Sequence, residues 1–267
     1  MKIIHVSDLH LVTPGGKVWG VDPLARFDAC LADISRHHAD ADFCVISGDL
    51  TDRGEVEAYE LVRDRLANFP LETHLLIGNH DVRENFFTVF PNAPCDPSGF
   101  AQYHIARSGF SFFFLDTLKG PPSSAGLYCD RRKQWLADAL SESAGPPVLF
   151  MHHPFFPIAH PLMDRIKLDD GEAFADLVAP HNIRHVFFGH AHRTVSGQYR
   201  GIPYSAPPSL AHQLPLVEGA VETVYSDEPP IYSVAHFSPE QTVVHMDAFL
   251  NRRAANMAKD AERDDWF

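Results

Sequence analysis

Aspartate, asparagine and histidine gather at five points of the chain, and each point follows an apolar run. Ile3-Ile4-His5-Val6-Ser7 leads to Asp8-Leu9-His10, and Phe43-Cys44-Val45-Ile46-Ser47-Gly48 leads to Asp49. His74-Leu75-Leu76-Ile77 leads to Gly78-Asn79-His80-Asp81. Val148-Leu149-Phe150-Met151 leads to His152-His153, and His185-Val186-Phe187-Phe188 leads to Gly189-His190-Ala191-His192. Short apolar runs of this kind read as parallel strands buried on both faces. In open α/β folds, ligands bind beyond the carboxyl ends of such strands. Asp8 and His10 are two residues apart, as are His190 and His192, so at a strand end each pair is expected to face one ion. With Asp49, Asn79 and His152, which arrive singly, the two pairs make seven oxygen or nitrogen donors, more than one ion needs and suited to two that share a carboxylate. Imidazole, carboxylate and amide without thiolate favour Mn²⁺, Fe or Zn²⁺ over Cu(I) or Ca²⁺. Each piece alone is an ordinary sequence fragment, and the chemistry lies in the set.

The elements that must position these groups alternate. Leu24, Phe27, Leu31 and Ile34 recur at helical spacing, and Asp22 before Pro23 predicts an N-cap for a helix over Asp22–His38. A second helix runs through Tyr59, Leu61, Val62 and Leu66. The first ninety or so residues therefore read β-α-β-α-β, with a parallel sheet and right-handed crossovers. Residues 101–107 and 110–116 read as a hairpin about Ser108-Gly109. Helices follow from Asp130, with Trp135, Leu136, Ala139 and Leu140 on one face, and near Gly171 to Val178. From Thr194 the pattern is β-rich, with strands at Val195–Tyr199, Ile231–Phe237 and Thr242–Phe249. We expect one domain over 1–250, with 201–245 as a candidate oligomer arm. The polar residues 251–267 read as a frayed tail or an oligomer contact.

The chain has 267 residues, enough to bury a full core. A net charge of −13 argues against nucleic-acid or anionic-membrane binding driven by bulk charge. The four cysteines form no C-x-x-C pair, which disfavours a thiolate zinc site and a disulfide framework. No apolar run reaches the length of a membrane span, and no signal-like segment precedes the first strand, so a cytoplasmic protein without stable membrane association is expected.

Taken in order, Asp8-x-His10, Gly48-Asp49, Gly78-Asn79-His80-Asp81, His152 and Gly189-His190-x-His192 resemble the calcineurin-like metallophosphoesterases. Within them the chain is most similar to bacterial class III cyclic nucleotide phosphodiesterases and glycerophosphodiesterases. The resemblance implies a four-layer αββα sandwich with two central mixed sheets. It implies one metal on Asp8, His10, Asp49 and His192, and a second on Asp49, Asn79, His152 and His190, with Asp49 bridging. It also implies that His80 is not a ligand and sits beside the substrate phosphate, and that His212 lines the site. Two divalent ions would activate a hydroxide for in-line attack on a small phosphodiester, a glycerophosphodiester or a 3′,5′-cyclic nucleotide. His80 would protonate the leaving alkoxide or stabilise the transition state, with Asp81 either orienting it or capping the next helix. A homo-oligomer is expected.

Around this set, His153 is expected to be structural, while Phe155, Phe156 and His160 line either a pocket or the loop core. Lys17, Trp19 and Arg53 flank ligand loops, and one of them is a candidate to meet the substrate's leaving group. Alternative activities are a phosphomonoesterase or a lipase-like enzyme releasing a phospholipid head group. The non-enzyme alternative is a scaffold that has lost its chemistry.

Overall fold

The computed structural model describes residues 1–217 and 223–250, so the expected tail at 251–267 and part of the candidate arm lie outside the described residues. In chain order the elements are β1 (Lys2–Val6), α1 (Pro23–His37), β2 (Phe43–Ser47), α2 (Val56–Leu66), β3 (Thr73–Leu76) and α3 (Arg83–Val89). Then come β4 (Tyr103–Arg107), β5 (Phe110–Phe114), α4 (Asp130–Ser141), β6 (Pro147–Phe150), α5 (Gly171–Val178) and β7 (His185–Phe187). The last are β8 (Val195–Tyr199), β9 (Ile202–Ala206), β10 (Tyr232–Phe237) and β11 (Thr242–Asp247).

Strand alternation builds four layers. Ile4, Val6, Cys44 and Ile46 point towards Phe27, Leu31 and Ile34 of α1, Tyr59 and Val62 of α2 and Phe86 of α3. Their neighbours Ile3, Phe43 and Val45 point the other way, onto Phe112, Phe114, Val148, Phe150 and Phe187 of the second sheet. From that sheet Phe113, Leu149 and Val186 face Leu136 of α4 and Phe174 and Val178 of α5. With both faces covered, the inner strands have no polar side to show, and β2, β5, β6 and β7 are buried at every position.

One sheet has the order β11-β10-β1-β2-β3 and the other β4-β5-β6-β7-β9-β8. β1, β2 and β3 run parallel, and so do β5, β6, β7 and β9. The expected capping of α1 is present, because the Asp22 side chain accepts from the Ala25 N–H with Pro23 next in line. The hairpin turns at Ser108 and Gly109, which have φ of +50° and +82°. Of the late segment, β9 is an inner strand of the second sheet, and β10 pairs antiparallel with β1. β9 was not expected, and Pro203 explains why. A proline argues against an inner strand, but pairing with β7 begins only at Tyr204, beyond the missing N–H.

Candidate metal centre and its cavity

Five parallel strands, three from one sheet and two from the other, end at the same edge of the sandwich and bring their following loops together. The pairs Asp8/His10 and His190/His192 converge by a different route from the expected one. β1 ends at Val6 and β7 at Phe187, so neither pair sits on a pleat. Instead Asp8, His10, Asp49, His190 and His192 all adopt left-handed backbone, with φ of 56°, 45°, 47°, 63° and 49°. Non-glycine residues in that region cost free energy, and such strain persists where the surroundings impose it, notably at functional sites. The sharp turns fold each side chain back towards one point. Glycine makes room beside them: a Cβ on Gly78 would lie 2.6 Å from His152 Nε2 and 2.7 Å from the Asp49 backbone nitrogen.

The result is two adjoining sets of donors. One ligand atom from each of Asp8, His10, Asp49 and His192 falls within 4.8 Å of the others. Nε2 of His10 lies 3.1 Å from Nε2 of His192 and 3.6 Å from Asp49 Oδ2, and His192 Nε2 lies 3.4 Å from Asp8 Oδ1. On the far side of Asp49, its Oδ2 lies 3.3 Å from His152 Nε2, which in turn is 3.2 Å from Asn79 Oδ1. The His190 ring packs against that of His152, with centroids 5.2 Å apart. Asp49 thus stands between the two sets, where a shared carboxylate belongs.

Hydrogen bonds fix the rings so that a nitrogen of each is left for the centre. His152 Nδ1 donates to the Ser47 carbonyl at 2.9 Å and His192 Nδ1 to the His212 carbonyl at 2.8 Å. His10 Nδ1 donates to Asp52 Oδ1 at 3.2 Å. His190 uses Nε2 on the Ile166 carbonyl at 3.1 Å, which leaves Nδ1. Asp8 is tied in by the His190 N–H, 3.1 Å from both of its oxygens. A buried set of nitrogen and oxygen donors, each oriented and none a thiolate, fits divalent ions such as Mn²⁺, Fe or Zn²⁺.

Burial works against the Asp49 carboxylate, but His152, His80 and His10 outweigh it and hold its pKa well below the ordinary value. Burial likewise opposes ionised Asp8, and His192 and His152 keep it low. His152 is raised to about 9 because Asp49 and Asp8 overcome its burial. His190 is pushed down to about 3, chiefly by burial and next by His152. A carboxylate-rich pocket that attracts a proton here is suited to take a cation in its place.

His80 adjoins the first set, its ring 4.6 Å from that of His10 and a ligand atom within 4.8 Å of those of His10 and Asp52, and it lines the wall of a cavity of about 550 Å³ with its side chain 39% exposed. Its N–H donates to Asp49 Oδ1 at 2.8 Å, and its Nδ1 donates to the Asp52 carbonyl at 2.8 Å. Burial lowers its pKa, but Asp49 and Asp52 more than compensate and raise it. His212 lines the same cavity, its ring 4.5 Å from that of His192. Lys17, Trp19 and Arg53 line it too.

Contacts place the remaining candidates, and of these Asp81 departs from both roles expected of it. Asp81 neither orients His80 nor caps α3, whose N-cap is Val82. It accepts from the N–H groups of Leu50, Thr51 and Gly78 and from the hydroxyls of Thr51 and Tyr59, clamping the loops after β2 and β3. His153 is buried between the Thr117 hydroxyl and the Ser124 carbonyl, with a ligand atom within 4.8 Å of those of His152 and His190. Phe155 and Phe156 belong to the core beneath the second sheet. His160 accepts from the N–H of Leu162 and Met163. Asp52, which positions both His10 and His80, was not singled out from the sequence, and its place three residues after Asp49 was the available signal.

The chain matches the model of the calcineurin-like phosphoesterase family over residues 1–194. It is 36% identical over 257 residues to a probable cyclic nucleotide phosphodiesterase of Rhodopseudomonas palustris, covering 94% of this chain and 93% of that one. It is 29% identical over 239 residues to a glycerophosphodiester phosphodiesterase of Enterobacter lignolyticus, covering 86% and 84%. In fold it is similar to a dimetal phosphatase from Danio rerio, with a TM-score of 0.73, 14% identity and coverage of 94% and 96%. The family model covers most of the chain and the relatives span nearly all of it, and the chain belongs to the calcineurin-like phosphoesterases.

Proposed function

We propose that the chain hydrolyses small phosphodiesters, a 3′,5′-cyclic nucleotide or a glycerophosphodiester, at a two-metal centre on the floor of the cavity. The observation that carries this reading is Asp49 standing between two donor sets, with an oriented imidazole beside them on the cavity wall. The names of the two bacterial relatives support the diester class. Asp8, His10, Asp49 and His192 would hold one ion, and Asp49, Asn79, His152 and His190 the other. Bound there, two divalent ions supply charge neutralisation at the phosphoryl group and an acidified water.

The chain's own residues do the rest. Asp52 and the carbonyls of Ser47, Ile166 and His212 keep the ligand rings from turning away. His80, pinned through Nδ1, keeps Nε2 for the substrate. From there the ring can give a proton to the departing alkoxide or stabilise the transition state.

The test is metal analysis of the intact chain beside kcat/KM for cyclic AMP and glycerophosphoethanolamine after Mn²⁺ reconstitution. Two ions per chain and hydrolysis of at least one diester are expected, and Asp49→Ala should abolish both. Full activity in Asp49→Ala would sink the shared-carboxylate centre. A metal-free, inactive wild type would support the scaffold reading.

A further inference from the structure

The rim of the cavity carries a feature that phosphodiester cleavage alone does not require. Val18 and Val21 pair across a two-residue turn, with both N–H···O bonds 2.9 Å long. Trp19 and Gly20 occupy the turn at φ of +50° and +83°. Such turns favour Asn, Asp or Gly at both central positions, and a bulky residue there is strained. The sequence nonetheless places an indole at the tip, 63% exposed, on the edge of the catalytic cavity.

The indole has company. One face lies flat on Tyr225, with centroids 4.1 Å apart and planes 12° from parallel. Tyr225 meets the His212 ring edge-on at 5.2 Å, and His212 packs at 4.5 Å and 5.1 Å against the rings of His192 and His10. A continuous aromatic wall therefore runs from the donor cluster to solvent. The segment carrying Tyr225 is held in place: Ser226 and Gln213 exchange backbone hydrogen bonds of 2.9 and 3.0 Å. From α1 the Arg26 guanidinium donates to the carbonyls of Ala211, Asp227 and Glu228. Lys17 and Arg53 add positive charge to the same cavity.

We propose that Trp19, backed by Tyr225, forms a subsite that stacks a planar heteroaromatic ring of the substrate, so that a cyclic nucleotide is preferred to an aliphatic diester. This rests on the diesterase reading and narrows it. Burial of an aromatic face on a flat partner favours a base over a glycerol or ethanolamine group, which has no π-face to offer. Because every base has such a face, the subsite discriminates little between adenine and guanine.

The test compares kcat/KM for cyclic AMP, cyclic GMP and glycerophosphoethanolamine in the Mn²⁺-loaded wild type, W19A and W19F. A second readout is quenching of tryptophan emission by adenosine 5′-monophosphate, which reports stacking without turnover. W19A should lower the ratio of cyclic AMP to glycerophosphoethanolamine roughly tenfold, chiefly through KM. Cyclic GMP should fall by a similar factor, and W19F should restore most of the loss. The nucleotide should quench the wild type and leave W19F emission almost unchanged. A ratio unmoved in W19A, or a quench that persists in W19F, overturns the subsite. If the wild type cleaves neither diester, the diesterase reading fails by itself, and the quench still decides whether Trp19 holds a base.

Discussion

Asp52 shows how much of the site depends on a residue that binds no ion in our assignment. Its side chain accepts from His10 Nδ1, and its backbone carbonyl accepts from His80 Nδ1. Replacing it by Asn keeps the backbone and the volume but weakens the charged acceptor that fixes the His10 ring. We expect Asp52→Asn to lower Mn²⁺ affinity about 10- to 100-fold, the usual cost of losing such a partner. Competition with a chelator measures it, and unchanged affinity would mean that His10 is held by packing alone. His80→Ala should behave in the opposite way. Our assignment gives it no ion, so its loss should leave two ions bound and reduce kcat by about 10²- to 10⁴-fold; loss of an ion would make His80 a ligand. At this scale the sequence was informative for the groups that end strands, because an apolar run followed by Asp, Asn or His marks a position in one dimension. Asp81 was misjudged because its five donors come from residues 50, 51, 59 and 78 and meet only in three dimensions.

Among the elements, the strands were legible wherever both faces are buried, since β2, β5, β6 and β7 then read as unbroken apolar runs. β9 was hidden by Pro203, whose neighbour relations depend on where pairing with β7 begins. The loops after the strands have their own logic. Left-handed backbone at five of the seven proposed ligands cannot be read from Asp or His, which do not require it. Glycine was the visible trace of that crowding. At Gly78 a methyl group would press on Asp49 and on His152 Nε2 at 2.6 Å. Gly78→Ala should therefore keep the folded core, as judged by circular dichroism, and lose at least one ion. A variant that binds two ions and turns over at the wild-type rate would show that the loops after β2 and β3 can move apart without harm.

In the whole molecule, the layer between the two sheets is aromatic, yet it also takes up imidazoles. His5 sits edge-on to Phe150 and Phe187, His74 stacks on Phe114 at 4.4 Å, and His185 packs on Phe187 at 4.3 Å. Burial, the largest influence on each, depresses their pKa to about 3, about 4 and about 4. The folded values lie below the unfolded value near 6.5, so between the two the unfolded chain binds more protons than the folded one. Stability is then complete above about pH 6.5 and is lost as pH falls towards 4. Each such histidine contributes a slope of at most about 1.4 kcal/mol per pH unit. His185 bonds to the Ser205 hydroxyl at 2.9 Å, which glutamine can also reach. Urea unfolding of the metal-free chain should show the wild type losing stability from pH 6.5 to pH 5. His185→Gln should lose roughly 1.5 kcal/mol less over the same interval. Equal losses in the two proteins would mean that the interface admits a charged imidazole at position 185 and that acid lability arises elsewhere.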